Sequence, residues 1–273
     1  MRRYVNNGIT LTTELPLYCE WCDINKLSIN FTKTNYMIVK SPRKKNLNVN
    51  INITNQDGSC HSLEWKDHIN KYLGVMIDSA LTWKNHISYV CAKLSQNTGV
   101  ISKLRHYLPL KQLKQIYYNL IYPYILYAIV AWGSTNKTNL HKIQTKQNHV
   151  IRLMFFATLS GKNTDSALPL LKILEMLTVA NIYHLHALKF IHAWHKGVLP
   201  ELFNHFFQHA SNVHNYNTRY VAKQNLHKFR VKTSTGKQMI SFMAIDLWQE
   251  LPYKVKDQNQ FAFSKSVKNY ILS

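Results

Sequence analysis

The chain has 273 residues, 46% of them hydrophobic, and its 34 Lys and Arg against 13 Asp and Glu give a formal net charge of +21. This hydrophobic content is enough for a folded core and excludes a chain that is disordered throughout. The excess of positive charge makes phosphate the expected counterpart. Nucleic acid is favoured over an anionic membrane because the cations are spread along the chain and are not gathered on one amphipathic helix.

The cysteines and the apolar segments predict a soluble protein of a reducing compartment, nuclear or cytoplasmic, and not a secreted one. The four cysteines all lie in the first third of the chain, at Cys19, Cys22, Cys60 and Cys91. That distribution is not a disulfide framework for a chain of this length. The first residues include two arginines but no apolar segment typical of a secretory signal. The longest apolar run, 120–132, is too short to span a membrane and contains Pro123.

The first 80 residues combine a helical period with short strand-like segments. Leu17, Trp21, Ile24 and Leu27 recur at spacings of three and four, which predicts an amphipathic helix over 15–29 with these residues on its buried face. Segments rich in β-branched and aromatic residues, separated by the turn-forming SPRKKN and NQDGS, predict strands over 36–39, 47–53 and 72–77. We expect these strands to form one small antiparallel sheet.

Beyond residue 78 the period becomes helical. One long helix that ends at Pro109 is predicted by an apolar stripe of Trp83, Ile87, Val90, Cys91, Leu94, Ile101 and Leu104. Further helices are predicted over 110–132, 139–156, 168–194, 237–251 and 261–272. The expected fold class is therefore α+β: a small antiparallel sheet with one helix in 1–80, an all-α helical bundle in 81–200 and a short helical tail in 201–273.

The acidic residues argue against catalysis by this chain. The seven Asp and six Glu are scattered, and no two of them are adjacent. Two-metal chemistry needs closely paired carboxylates. Arrangements typical of a Ser, Cys or His nucleophile have no supporting pattern either. We expect no catalytic residue and no cofactor in the chain.

Two groups of possible metal ligands have unfavourable spacing. Cys19 and Cys22 are three residues apart on a predicted helix, and the other half of a zinc site would be Cys60 and His61, neighbours that cannot easily both face one ion. Four histidines occur without carboxylates or an HExxH frame, at His184, His186, His192 and His195. We interpret both groups as structural and expect no metal.

Five segments follow one another in a characteristic order. They are WCDINKLSINFTKTN at 21–35, KYLGVMID at 71–78 with LTWKNHI at 81–87, YPYILYAIVAWG at 122–133, HNYNTR at 214–219, and the stretch from Trp248 to Lys268. This series resembles the region downstream of the active site in reverse transcriptases of non-LTR (LINE-type) retrotransposons. The resemblance covers nearly the whole chain. It implies a palm remnant with a primer-grip-like turn in 1–80, a helical thumb-like bundle in 81–200 and a C-terminal extension in 201–273.

The resemblance assigns expected roles to three residues of the first 80. Lys33 lies at the position of the family's palm lysine, near the departing pyrophosphate, where it would help to neutralise or protonate that group in a complete enzyme. In this chain a solvated lysine at a strand edge is the favoured interpretation. Tyr72 and Gly74 belong to a turn that resembles the primer grip, where glycine permits close approach of the backbone to the primer. A plain tight β-turn explains them equally well.

Further basic residues are expected to contact nucleic acid. The predicted helix of 83–108 would be the thumb helix, and its Lys84, Lys93, Lys103 and Arg105 would follow the phosphates of a template-primer duplex without reading sequence. Lysine-rich helix faces also serve solubility. Arg219 and Tyr216 pair a cation with an aromatic ring, as nucleic-acid platforms do. We favour the alternative in which Tyr216 packs on the bundle.

In the family that the series resembles, a paired Asp signature lies shortly upstream of the helix that contains Trp21, and that position falls before residue 1. The resemblance therefore implies a truncated RNA-directed DNA polymerase fragment that retains template-primer-binding parts. Mg²⁺ is expected only for the complete enzyme. The expected partner is an RNA or DNA template-primer duplex, with no membrane and no defined protein partner. A host-used basic nucleic-acid-binding or helical interaction module is the main alternative, and a polymerase that takes its aspartates from a partner chain is a remote one.

Overall fold

The structure is a computed structural model that describes residues 7–40, 51–54, 60–65, 69–155, 166–213, 216, 218–222 and 225–272. The chain divides into two compact units, Met1–Asn85 and His86–Ser273. Most of the strand predicted over 47–53, and the end of the helix predicted over 139–156, lie outside the described residues. The three functional domains expected from the sequence stay a prediction.

In the residues described, the first unit contains one complete helix and six short strands. They are α1 (Asn7–Ile24), β1 (Asn35–Tyr36), β2 (Asn52–Thr54), β3 (Cys60–Ser62), β4 (Glu64–Trp65), β5 (Ile69–Tyr72) and β6 (Val75–Asp78). β2 pairs with β3 and β5 with β6, both antiparallel, whereas β1 pairs with β4 in parallel. The α+β class is confirmed. The described strands form three separate pairs in place of the single antiparallel sheet that we expected.

The core of the first unit is small and involves the opposite face of α1 from the one predicted. Cys19 packs with Ile53 and Leu63, and Cys22 is also buried. The predicted apolar face is exposed: Leu17 is 64%, Trp21 53% and Ile24 74% accessible. Leu27, which lies beyond the end of the helix, is exposed as well. The predicted orientation was therefore wrong. The helix carries apolar residues on both sides, and the small thiols permit a closer approach to the strands than large side chains would.

The second unit is helical. α2 (Lys84–Leu104), which begins two residues before the unit boundary, is followed by α3 (Leu110–Leu120), α4 (Tyr122–Leu126), α5 (Ile129–Trp132), α6 (Lys137–Met154), α7 (Leu168–Ile173), α8 (Val179–His195), α9 (Arg219–Ala222), α10 (Ser234–Lys237), α11 (Ile240–Glu250), α12 (Tyr253–Lys256) and α13 (Gln260–Leu272). Two short 3-10 turns occur at Glu201–Phe203 and Ala210–Asn212.

Two helices that we predicted as continuous are broken. The 110–132 segment forms three helices because Pro123, which has no backbone N–H, opens α4, and Ala128 has a φ of 52° just before α5. The 168–194 segment is interrupted between α7 and α8, where Glu175 has a φ of 53°. Left-handed backbone at a residue other than glycine leaves no signal in an apolar pattern.

The core of the second unit surrounds α8, which packs against α4, α5, α6, α11 and α13. Four residues of the stripe predicted on α2 are buried, Ile87, Val90, Leu94 and Ile101. Cys91 and Leu104 are half-buried, and Trp83 precedes the helix. The C-terminal helices α11 and α13 contribute Trp248 and Phe263, both fully buried, to the same unit as the preceding bundle. Within the described part of the chain, no helix combines the length and the apolar character that crossing a membrane requires.

Candidate nucleic-acid interface

Two long stretches of the chain contain basic residues but no acidic ones. Residues 79–164 contain 11 Lys and Arg and no Asp or Glu, and residues 202–245 contain six Lys and Arg and no Asp or Glu. The first stretch includes helices α2 to α6, and the second includes α9 and the extended segment after it. A surface that carries cations without interspersed carboxylates attracts polyanions more strongly than a mixed surface does.

The four cations predicted on the thumb-like helix do not share one side of it. Lys84 and Lys93 are nine residues apart, which at 3.6 residues per turn places them about 180° apart around α2. Lys84 and Lys103 are exposed, whereas Lys93 is half-buried with its Nζ 6.0 Å from the centroid of the Tyr89 ring. Arg105, just after the helix, is also half-buried. A single straight row of phosphate contacts along α2 is therefore not formed by this set.

A second group of cations approaches α2 from α6. Burial raises the pKa of the Cys91 thiol on α2, and the positive charges of Lys146 and Lys142 oppose that shift, which indicates that both ammonium groups lie near Cys91. Lys142 and Lys146 are one turn apart on α6 and so lie on the same side of it. We call Cys91, Lys142 and Lys146 together the α2–α6 seam. Its two cations belong to α6, a helix for which no nucleic-acid contact was predicted from the sequence.

The turn predicted to resemble a primer grip is a tight hairpin between β5 and β6. Tyr72 pairs with Val75, so the turn has two central residues, Leu73 with a φ of 45° and Gly74 with a φ of 83°. Positive φ at both positions is typical of a type I′ turn. The geometry of the turn therefore explains the glycine at position 74 without any bound ligand. Tyr72 and Leu73 are 65% and 73% exposed.

The side chain of Lys33 is exposed in a separate turn, two residues before β1.

The polar, aromatic stretch near Arg219 differs from its predicted packing. Tyr216 is 80% exposed, so the interpretation that it packs on the bundle was wrong. The anchoring role belongs to Tyr220, whose hydroxyl donates to the carbonyl of Leu226 at 2.7 Å and accepts from the amide of Gln249. Arg219 is exposed at the first position of α9. Tyr216 and Arg219 therefore both face solvent.

Several of the histidines considered as metal ligands stack on aromatic rings or are largely buried. The ring of His61 stacks on Phe31 at 4.1 Å, and His192 stacks on Phe263 at 4.0 Å. Burial lowers the pKa of His186 and of His195 to about 4, and it also lowers the pKa of His184 and of His192. Across the described ranges, no three His, Cys, Asp or Glu side chains are grouped so that they could hold a metal ion.

An extended basic segment that was not predicted from the sequence follows α9. Residues 228–232, KFRVK, are not helical, and Phe229, Arg230 and Lys232 are exposed there. The alternation of basic and apolar residues in this segment could have predicted it. The segment is not part of a helix or strand that was predicted from periodicity.

These features define an α+β chain with basic, largely helical surfaces, and comparison with known proteins adds a reverse-transcriptase-like relationship. The chain is 29% identical over 85 residues to a protein of Drosophila melanogaster described as "Probable RNA-directed DNA polymerase from transposon BS". The aligned region is 30% of this chain and 9% of that protein, so the chain spans less than a tenth of this relative. No protein-family model matches the chain. No solved structure matches it.

Proposed function

We propose that this chain is the template-primer-binding region of a non-LTR-type reverse transcriptase. In this proposal it comprises the primer-grip-like hairpin, the thumb-like bundle and the C-terminal extension. It binds the phosphates of an RNA or DNA duplex and does not itself transfer nucleotides. Support comes from the ordered sequence segments, from the relationship to the transposon polymerase, and from the scattered carboxylates, no two of which are adjacent.

The observation that carries the proposal is the acid-free stretch of residues 79–164, which includes the α2–α6 seam. This stretch of 86 residues has 11 cations and no acid, and the charges of Lys142 and Lys146 on α6 act on the Cys91 thiol on α2. Exposed lysines kept for solubility are ordinarily interspersed with carboxylates, which would neutralise their field. An acid-free surface shared by two helices instead suits a continuous row of phosphates, which releases counterions when it is bound.

The test measures affinity for an RNA–DNA hybrid by fluorescence anisotropy at several salt concentrations. We expect the affinity to fall at least tenfold between about 50 and 200 mM salt, because phosphate contacts release counterions. The variant Lys142→Gln with Lys146→Gln should bind about tenfold more weakly, and its logarithmic salt slope should be smaller in magnitude by about 2.

The matched control is Lys254→Gln with Lys265→Gln, which removes the same charge from exposed positions on α12 and α13. It should change the affinity less than about twofold at physiological salt. A flat salt response of the unmodified chain would exclude a phosphate-dominated role. Equal losses in the two double variants would show that only net charge matters and that the α2–α6 seam is not the site.

A further inference from the structure

Two exposed aromatic rings and three exposed cations occur close together in the sequence of the second unit. Tyr216 is 80% and Phe229 41% accessible, and Arg219, Arg230 and Lys232 are also exposed. No Asp or Glu occurs between residues 202 and 245, so no nearby carboxylate in the sequence neutralises these cations. We call these five residues the 216–232 surface.

A side-chain hydrogen bond joins the two parts of the 216–232 surface, and two backbone hydrogen bonds hold the start of the extended segment in place. The carbonyl of Leu226 accepts from the hydroxyl of Tyr220 on α9 at 2.7 Å. The N–H of His227 donates to Gln208 at 2.7 Å, and that of Ala210 donates to Asn225 at 3.1 Å. The start of the extended segment is therefore fixed beside the helix that begins with Arg219, and Phe229 follows two residues after His227.

A neighbouring ion pair explains why one cation of this segment is excluded from the surface. Lys228 Nζ lies 2.5 and 2.6 Å from the two carboxylate oxygens of Asp246, and 4.3 Å from the centroid of the Phe242 ring. Lys228 therefore holds the segment against α11. Among the described residues, Arg219, Arg230 and Lys232 form no such ion pair. They remain available for an external anion.

Exposed aromatic rings beside unpaired cations are typical of surfaces that bind single strands. An unpaired base has a free face that stacks on an aromatic ring, and the adjacent phosphates pair with Arg or Lys. A base inside a duplex is already stacked and paired, so it gains nothing from such rings. The α2–α6 seam has the opposite character, since its lysines neutralise phosphates whether or not the bases are free.

We propose that the 216–232 surface binds single-stranded nucleic acid, with bases stacked on Tyr216 and Phe229 and phosphates paired with Arg219, Arg230 and Lys232. This inference rests on the proposed function, because it names the kind of strand that one part of a nucleic-acid-binding chain takes. It adds a site that discriminates unpaired bases from a duplex.

The test uses three labelled probes of equal length: an oligothymidine of about 12 nucleotides, an abasic oligomer with the same phosphates, and a duplex. The full chain should bind the thymidine oligomer about tenfold or more tighter than the abasic one, because only the former has bases to stack. Tyr216→Ala and Phe229→Ala should each lower the thymidine affinity about fivefold or more. Both variants should leave the abasic and duplex affinities within about twofold of the unmodified chain.

Matched controls are Tyr107→Ala and Phe261→Ala, which remove rings that are 83% and 84% exposed but lie outside the surface. These should change none of the three affinities by more than about twofold. Phe229→Trp should retain the preference for the thymidine oligomer, since stacking requires only a ring.

The outcomes separate this inference from the proposed function. If the duplex binds with the expected salt dependence but the thymidine preference is absent, or survives in Tyr216→Ala and Phe229→Ala, the single-strand site is wrong and the proposed function stands. If no probe binds with a salt-dependent affinity, the proposed function itself fails.

Discussion

The side-chain amide of Gln147 on α6 donates to the hydroxyl of Tyr117 on α3 across 2.9 Å, in the interior of the second unit. Both side chains are at most 1% exposed. The same amide nitrogen donates to the carbonyl of Leu177 at 2.9 Å, and Gln144 donates to the oxygen of Gln147 at 2.8 Å. The buried amide thus connects two helices with the segment that leads into α8.

Replacing this amide should be costly for stability. We expect Gln147→Leu to lower the free energy of unfolding by about 2–4 kcal/mol, because Tyr117, Leu177 and Gln144 would all lose a buried partner. Tyr117→Phe should cost about 1–2 kcal/mol, since it leaves the bond to Leu177 in place. Urea denaturation measures both. Gln115→Leu, at an exposed position of α3, serves as the control, and equal effects in all three variants would contradict the network.

The turn that leads into α2 depends on one carboxylate. Asp78, which is 8% exposed, accepts from the N–H groups of Thr82 at 2.9 Å and Trp83 at 2.8 Å. It thereby stabilises the left-handed backbone of Leu81 and Trp83, whose φ angles are 52° and 63°. Asp78→Ala should lower stability by about 2 kcal/mol, and Asp78→Asn by about half as much, because the amide keeps one acceptor.

Amide hydrogen exchange is the direct measurement for Asp78. The N–H groups of Thr82 and Trp83 should exchange about 30-fold faster in Asp78→Ala, which corresponds to about 2 kcal/mol. Asp23→Ala, which removes an exposed carboxylate of α1, should leave these two rates unchanged. Unchanged rates in Asp78→Ala would mean that the turn is held by other contacts.

Periodicity predicted the buried face of a helix correctly where only one face is apolar. It failed where two faces are apolar. The stripe on α2 was correct because Ile87 and Leu94 have polar residues on the opposite side. On α1 the same pattern selected Leu17 and Trp21, and no property of a single sequence says which of two apolar faces a core will cover.

The α2–α6 seam was not predictable for another reason. Cys91 and Lys146 are distant in sequence, and only the fold brings the charge of Lys146 close enough to act on the Cys91 thiol.

The β5–β6 hairpin offers a stability gain at Leu73. A type I′ turn requires positive φ at both central positions, which asparagine followed by glycine adopts at low cost. We expect Leu73→Asn to raise the free energy of unfolding by about 0.5–1 kcal/mol and Gly74→Ala to lower it by about 1 kcal/mol. Thermal unfolding measures both changes. A loss of stability in Leu73→Asn would show that contacts of the leucine outweigh its backbone strain.

Acid should destabilise the second unit through its buried histidines. Burial lowers the pKa of His186 and of His195 from 6.5 to about 4. The unfolded chain therefore takes up these protons first as the pH falls below about 6.5, and stability decreases until about pH 4, where the folded state is protonated as well. We expect each histidine to contribute about 1 kcal/mol to this loss after screening by solvent.

The pH dependence can be assigned by substitution. Denaturant unfolding between pH 7.5 and about pH 4 should show a shallower decline for His186→Gln with His195→Gln than for the unmodified chain. The remaining decline belongs to His86, His184, His192 and His209, for which burial also lowers the pKa. An identical slope in the double variant would show that these two imidazoles do not titrate as their burial requires.

The exposed face of α1 should limit solubility without contributing to stability. Leu17 and Ile24 are 64% and 74% accessible, so Leu17→Glu with Ile24→Glu removes apolar surface from water without opening the core. We expect the solubility limit to rise severalfold and the free energy of unfolding to change by less than about 0.5 kcal/mol. Leu63→Ala, in the core that the opposite face covers, should instead cost about 2–3 kcal/mol. A large destabilisation by the two glutamates would mean that the Leu17 face packs in solution and that the cysteine face alone does not hold the helix.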